Sequence, residues 1–124
     1  MSYDTSMVID TGGPEPAEVA EIGNMTSNVC GMWWLAIEGR PWTDADWGTW
    51  DTTGLAGCHG KTGAELIPVL EQAVSHIKHP DHAATYRAMT PENGWGSHFR
   101  AAEYLERILA ACREHPKATL WISR

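Results

Sequence analysis

The amino-acid sequence predicts an α+β domain in which a small antiparallel sheet, joining N- and C-terminal strands, packs against two main helices. Three observations predict it. Residues 64–78 and 97–114 repeat their apolar side chains at the three-to-four-residue spacing of a helix face. Residues 24–30 and 118–123 alternate instead, the period of a half-buried strand. Strands near both ends of the chain, brought into one sheet, leave the helices between them free to cover one face. A helical bundle carrying a β-ribbon is the alternative arrangement.

In chain order, the first 22 residues contain "TGGPEPAEVAEI" and few large apolar groups, so little offsets the entropy of ordering them. A flexible, disordered acidic tail is expected there, ahead of one domain over 23–124. "NMTSNVC" then reads as a strand, and "GMWWLAI" as a short helix buried on most sides. The stretch 38–60 fits neither period and reads as an insert rich in Trp, Asp and Gly, within which Thr43, Asp44 and Asp46 suit the start of a short helical turn.

Thr62 followed three residues later by Glu65 is a capping box, opening a helix whose stripe is Leu66, Leu70, Ala73, Val74 and Ile77. Pro68 inside that pattern removes a backbone donor and argues for a start nearer Ala64. "DHAATYRAM" predicts a short helix capped by Asp81. Ser97 caps the last helix, with Ala101, Leu105, Ile108 and Cys112 on one face, and His115 and Pro116 stop it. "ATLWISR" closes the chain as a strand.

Composition narrows the function classes. The 124 residues suit one domain, and three cysteines with no close pair, behind no secretory leader pattern, lead to the expectation of free thiols in the cytoplasm. The longest apolar run, "VCGMWWLAI", is far short of the roughly 20 residues a bilayer span needs, so no membrane partner is expected. The net charge of −7 is uneven: residues 1–57 hold nine acids against the single base Arg40. That pattern argues against nucleic acid, which needs clustered Lys and Arg.

Several motifs carry chemistry on one reading and only structure on another. In "TPENGWGSHFR", Gly96, Ser97 and His98 at a helix start offer backbone N–H groups to an anion, with Arg100 in support. Asn93, Gly94 and Ser97 also suit a tight turn and a cap, with Trp95 as a plug. Cys58, His59, Cys112 and His115 have the chemistry of a zinc set, but adjacent ligands chelate poorly; no metal and no cofactor is expected. Cys58 beside His59 is the one local nucleophile–base candidate, yet sequence neighbours point apart. His76, His79 and His82 recur every third residue, but Pro80 interrupts them and a solvated face accounts for them. "DADWGTWD" lacks the glycine and glutamate spacing of a calcium loop.

The tryptophans are the strongest functional signal. Seven occur, and Trp42, Trp47 and Trp50 fall in the irregular insert, where neither helix nor strand dictates their burial. Either they fold back as a lid on the core, or they are held for a partner, with Asp44 and Asp46 favouring a basic one. The binding residues expected are therefore Trp42, Trp47, Trp50, Asp44, Asp46 and Trp95.

The segments "NMTSNV", "GLAG", "TGAELIPVLEQAV" and "PENGWGSHFRAAEYLERILAACREHP", with a short final strand, together resemble a family of small accessory proteins of tailed bacteriophages, actinobacterial phages included, and of their hosts. The resemblance covers roughly the last hundred residues and is most specific at "NGWG". It implies an accessory role, as an inhibitor or adaptor of a host factor, and transfers no catalytic residue. The expectation is thus a non-enzymatic protein that binds a host or phage protein partner through the Trp-rich acidic surface. The alternative is a small enzyme or ligand-binding protein with a pocket near the NGWG turn.

Overall fold

In the computed structural model, residues 2–26, 29–49, 52–89 and 97–123 are described, Trp47 by its backbone only. The elements are β1 (Ser2–Ile9), β2 (Ala17–Thr26), α1 (Cys30–Glu38), α2 (Gly63–Lys78), α3 (Ala83–Ala88), α4 (His98–Glu114) and β3 (Thr119–Ser123). Short 3-10 helices occupy Asp44–Thr49, Ala56–Cys58 and Pro80–His82. The sheet is antiparallel in the order β2-β1-β3, so strands from the two ends of the chain lie side by side. This is the α+β architecture that the helical and alternating segments indicate.

The segment expected to be a disordered tail is instead the centre of that sheet. Tyr3, Thr5 and Met7 alternate inward along β1, and Ile22 of β2 joins them in the core. The composition that suggests disorder belongs mostly to the hairpin connection: Asp10 Oδ1 accepts from the amide of Gly12 (2.8 Å), whose φ of 80° places it in the left-handed region. Strand β2 looks polar because it lies at the sheet edge, with Glu18 and Glu21 in solvent. It ends at Thr26, so the strand expected over 24–30 is displaced toward the N-terminus.

The opposite edge is closed by the chain itself. Gly60 N donates to Leu120 O (2.8 Å), Leu120 N to Lys61 O (2.9 Å) and Ile122 N to His59 Nδ1 (2.9 Å). Against the inner face lies α4, with α2 packed on α4 and α1 on both helices. Tyr104 ties this layer to the sheet, its hydroxyl lying 2.9 Å from Gly23 O and 3.2 Å from Tyr3 O while bonding Thr5 Oγ1. The fully buried Trp33 fills the middle, donating from Nε1 to Ala101 O (3.3 Å) with Tyr3 edge-on at 5.1 Å.

Helix α2 starts at Gly63 with the complete Thr62/Glu65 capping box, and Pro68 sits inside it without displacing the start. The amides of Gly63 and Ala64 reach out of the helix to Ala118 O (2.8 Å) and Pro116 O (2.9 Å), which fixes that start from outside. Ser97 caps α4 as its sequence indicates, accepting from Arg100 N at 3.2 Å. The cap expected at Asp81 is not formed: His79 caps the 3-10 turn Pro80–His82, its Nδ1 accepting from Asp81 N (3.1 Å), and α3 continues from that turn with His82 at its N-cap position. Among the described residues no helix is long and apolar enough to cross a membrane.

Candidate functional site

The insert is held by its own charges. Asp46, expected on the recognition surface, is buried: its carboxylate takes two bonds from Arg40 (2.7 and 2.9 Å), one from Thr43 N (2.8 Å) and one from Thr43 Oγ1 (3.1 Å). The Arg40 guanidinium, then the Thr43 amide, hold its pKa well below the usual carboxylate range. Asp46 is therefore a pin closing the turn after α1, and that part of the recognition surface is corrected. Asp44, two residues earlier, is exposed. Trp42 is half-buried. The Trp47 side chain and Trp50, Trp95 and Gly96 lie outside the described residues, as does the whole NGWG turn.

Beneath this pinned turn lies a pocket of about 360 Å³. Trp33, Trp34 and Cys30 of α1, Tyr3 of β1, and Trp42 and Leu55 of the insert form its walls. Trp34 is clamped in place. The Arg40 guanidinium lies over its ring, 5.4 Å from the centroid. Gly54, at φ 61°, passes so close that a Cβ there would stand 3.1 Å from the ring, and its amide is bonded to Glu38 Oε1 (2.7 Å). Trp34 is only 5% exposed, and among the described residues its Nε1 meets no hydrogen-bond partner.

The residues proposed for an anion site are spent elsewhere. Arg100 N is taken by the Ser97 hydroxyl, the Arg100 side chain points to solvent, and His98 donates from Nε2 to Ile77 O (2.6 Å) while stacking on Tyr86 at 5.1 Å. His98 is a strut between α4 and the end of α2. A groove of about 680 Å³ does run past Ser97 and His98, with Phe99, Lys78 and Arg87 along it. Phe99 is 75% exposed there.

The cysteine and histidine pairs also separate. Cys58 points into the core, its thiol donating to Gly54 O (3.6 Å) and pushed up to about 12 by burial. His59 turns the other way, to the sheet edge and against Trp121 at 4.8 Å. Burial pushes Cys112 up to about 11. Among the described residues no three His, Cys, Asp or Glu side chains converge closely enough to hold a metal ion. The three histidines expected on a solvated face do gather: the turn at Pro80 stacks His82 on His76 (3.9 Å, 9° between planes), brings His79 to 5.5 Å, and Tyr86 OH bonds His76 Nδ1 (2.6 Å).

Sequence reasoning missed Tyr3, Cys30, Trp33, Trp34 and Leu55 as pocket walls. One signal was present: two adjacent tryptophans in a nine-residue helix point about 100° apart, so they meet different neighbours. No family model matches the chain, and no curated protein or solved structure matches it either.

Proposed function

We propose that the chain is a non-enzymatic binding protein that accepts a large apolar side chain of a protein partner into the pocket between α1, β1 and the insert. The observation that carries this reading is the wall itself, in which three indoles, a phenol and a leucine meet around one opening. A volume of about 360 Å³ stands at the low end of the roughly 300–1,000 Å³ typical of ligand sites, and suits one aromatic or branched side chain. Aromatic pockets of this kind are where binding energy concentrates at protein interfaces. The exposed Asp44, and the nine acids against one base in residues 1–57, suit a partner with a base beside its anchor.

Catalysis by Cys58 with His59 is disfavoured, because the thiol is sealed and the imidazole faces away from it. The phage-type accessory role, as inhibitor or adaptor of a host or phage protein in the cytoplasm, is proposed on the resemblance of the NGWG-containing segments.

The test is a displayed random-peptide library selected on the wild-type chain and counter-selected on Trp42→Ala. Peptides sharing a large apolar residue, and losing at least about tenfold in affinity to the variant, are expected, since truncating a hot-spot tryptophan costs about 2 kcal/mol or more. Enrichment indifferent to Trp42→Ala, or no enrichment, would overturn the proposal. Thermal melting of the variant checks that the fold is retained.

A further inference from the structure

We infer that the groove beside the start of α4 is where two copies of this chain meet about a two-fold axis, Phe99 of each copy entering the groove of the other and Arg87 of each facing Glu103 of the other. The groove shares no residue with the aromatic pocket, so this surface is separate from the proposed binding site. Its walls come from three helices: Ile77 and Lys78 at the end of α2, Arg87 on α3, and Phe99, Ala102 and Glu103 along α4. Phe99 stands 75% exposed, the most exposed large apolar side chain among the described residues. One face thus carries both an apolar ridge and the hollow beside it, the self-complementary pattern that an isologous contact needs.

The polar groups of the groove select its occupant. Most are already spent within the chain: the Ser97 hydroxyl accepts from Arg100 N (3.2 Å), His98 Nε2 donates to Ile77 O (2.6 Å), and Lys78 is paired with Glu106 (2.8 Å). The side chains of Arg87 and Glu103 remain, both exposed and neither with a polar partner among the described residues. A small ligand would find no set of converging polar groups there. A strongly basic or strongly acidic partner would find one of the two charges opposed to it. A second copy turned by 180° presents the opposite sign to each, so both charges are met while both phenyl rings are covered. The acidity of the chain does not prevent the approach. Its excess lies in residues 1–57, whereas residues 58–124, which supply the whole groove, hold seven acids and eight bases.

Sedimentation velocity of the wild-type chain from about 5 μM to about 500 μM should show a monomer passing into a dimer, since a contact confined to one groove belongs with the weak interfaces that bury less than about 1,200 Å². Phe99→Ser should weaken the dimer at least about tenfold, because each substitution acts at both symmetry-related contacts. Arg87→Glu and Glu103→Arg, each alone, should also associate at least about tenfold more weakly, because each sets two like-charge pairs face to face. Mixed together, the two charge variants should associate again, because the mixed pair has opposite charges at both contacts. All three side chains are exposed, so the variants should keep the fold, which thermal melting checks. A wild-type chain that stays monomeric throughout, as it would if the groove served a different protein, would overturn the inference. So would a dimer indifferent to Phe99→Ser, or two charge variants that fail to associate on mixing.

Discussion

Replacing Gly63 by alanine tests whether the seam between α2 and α4 is as close as the geometry places it. A Cβ at residue 63 would stand 2.7 Å from His115 O, 2.8 Å from Cys112 O and 3.0 Å from Pro116 Cα. All three are backbone atoms, so no side chain can rotate away. The helices must part, and parting strains the bonds from Gly63 N to Ala118 O and from Ala64 N to Pro116 O. Overpacking of this kind costs about 1–3 kcal/mol. Alanine recovers at most about 1 kcal/mol of helix propensity, and less in a first turn. A net loss of about 1–2 kcal/mol should lower the melting temperature by roughly 4–8 °C in a domain of this size. Gly48→Ala is the control: among the described residues nothing lies within 4 Å of its Cβ position, and its stability should change by no more than about 0.5 kcal/mol. Thermal melts followed by circular dichroism measure both. A Gly63→Ala protein that melts with or above the wild type would refute the close approach, and with it the account of how the end of α4 fixes the start of α2.

Two further predictions use titratable groups. Burial raises all three thiols, Cys58 and Cys112 to about 12 and 11, but only Cys30 is exposed, so Ellman's reagent should titrate one thiol per native chain and three in guanidinium; prompt reaction of a second native thiol would contradict the burial of Cys58 and Cys112. His76 is held below the usual imidazole range by burial first and by His82 and His79 second, so the unfolded chain binds the extra proton more readily. Stability should accordingly be level above about pH 7 and decline as the pH falls through about 6.5, the range where an unfolded histidine takes its proton. Urea midpoints across that range, compared with those of His76→Gln, should show a shallower decline in the variant; parallel curves would remove the stacked histidines from the explanation.

What could be read from the sequence divides along physical lines. Helices α2 and α4 were legible to within a residue or two because capping chemistry and periodicity agree there: Thr62 with Glu65, Ser97 before the Ala101, Leu105, Ile108, Cys112 stripe. Strand β1 was illegible because Tyr3, Thr5 and Met7 sit beside a Gly/Pro connection whose composition dominates any window that includes them, and because strand pairing is decided by residues 119–123 at the far end of the chain. The gathering of His76, His79 and His82 was hidden by Pro80, which looks like a breaker in sequence and acts as the bend that stacks the rings. Asp46 shows the same limit at the site. Nothing local distinguishes a solvated aspartate from one enclosed by Arg40 and Thr43.

The position of the pocket follows from a mismatch between one side chain and the layer count of the fold. Trp33 points into the space between sheet and helices, where Tyr3 and Tyr104 receive it. Its neighbour, turned about 100° around the helix, cannot share that space. Trp34 projects toward the side of the domain, where a two-layer architecture has nothing to cover an indole. The insert supplies the cover: Arg40 on the ring face, the Arg40–Asp46 pair closing the turn, and Gly54 against the edge. That cover encloses the ring and still leaves an opening beside Trp42. An indole held there by three separate contacts is consistent with the binding role proposed for the pocket.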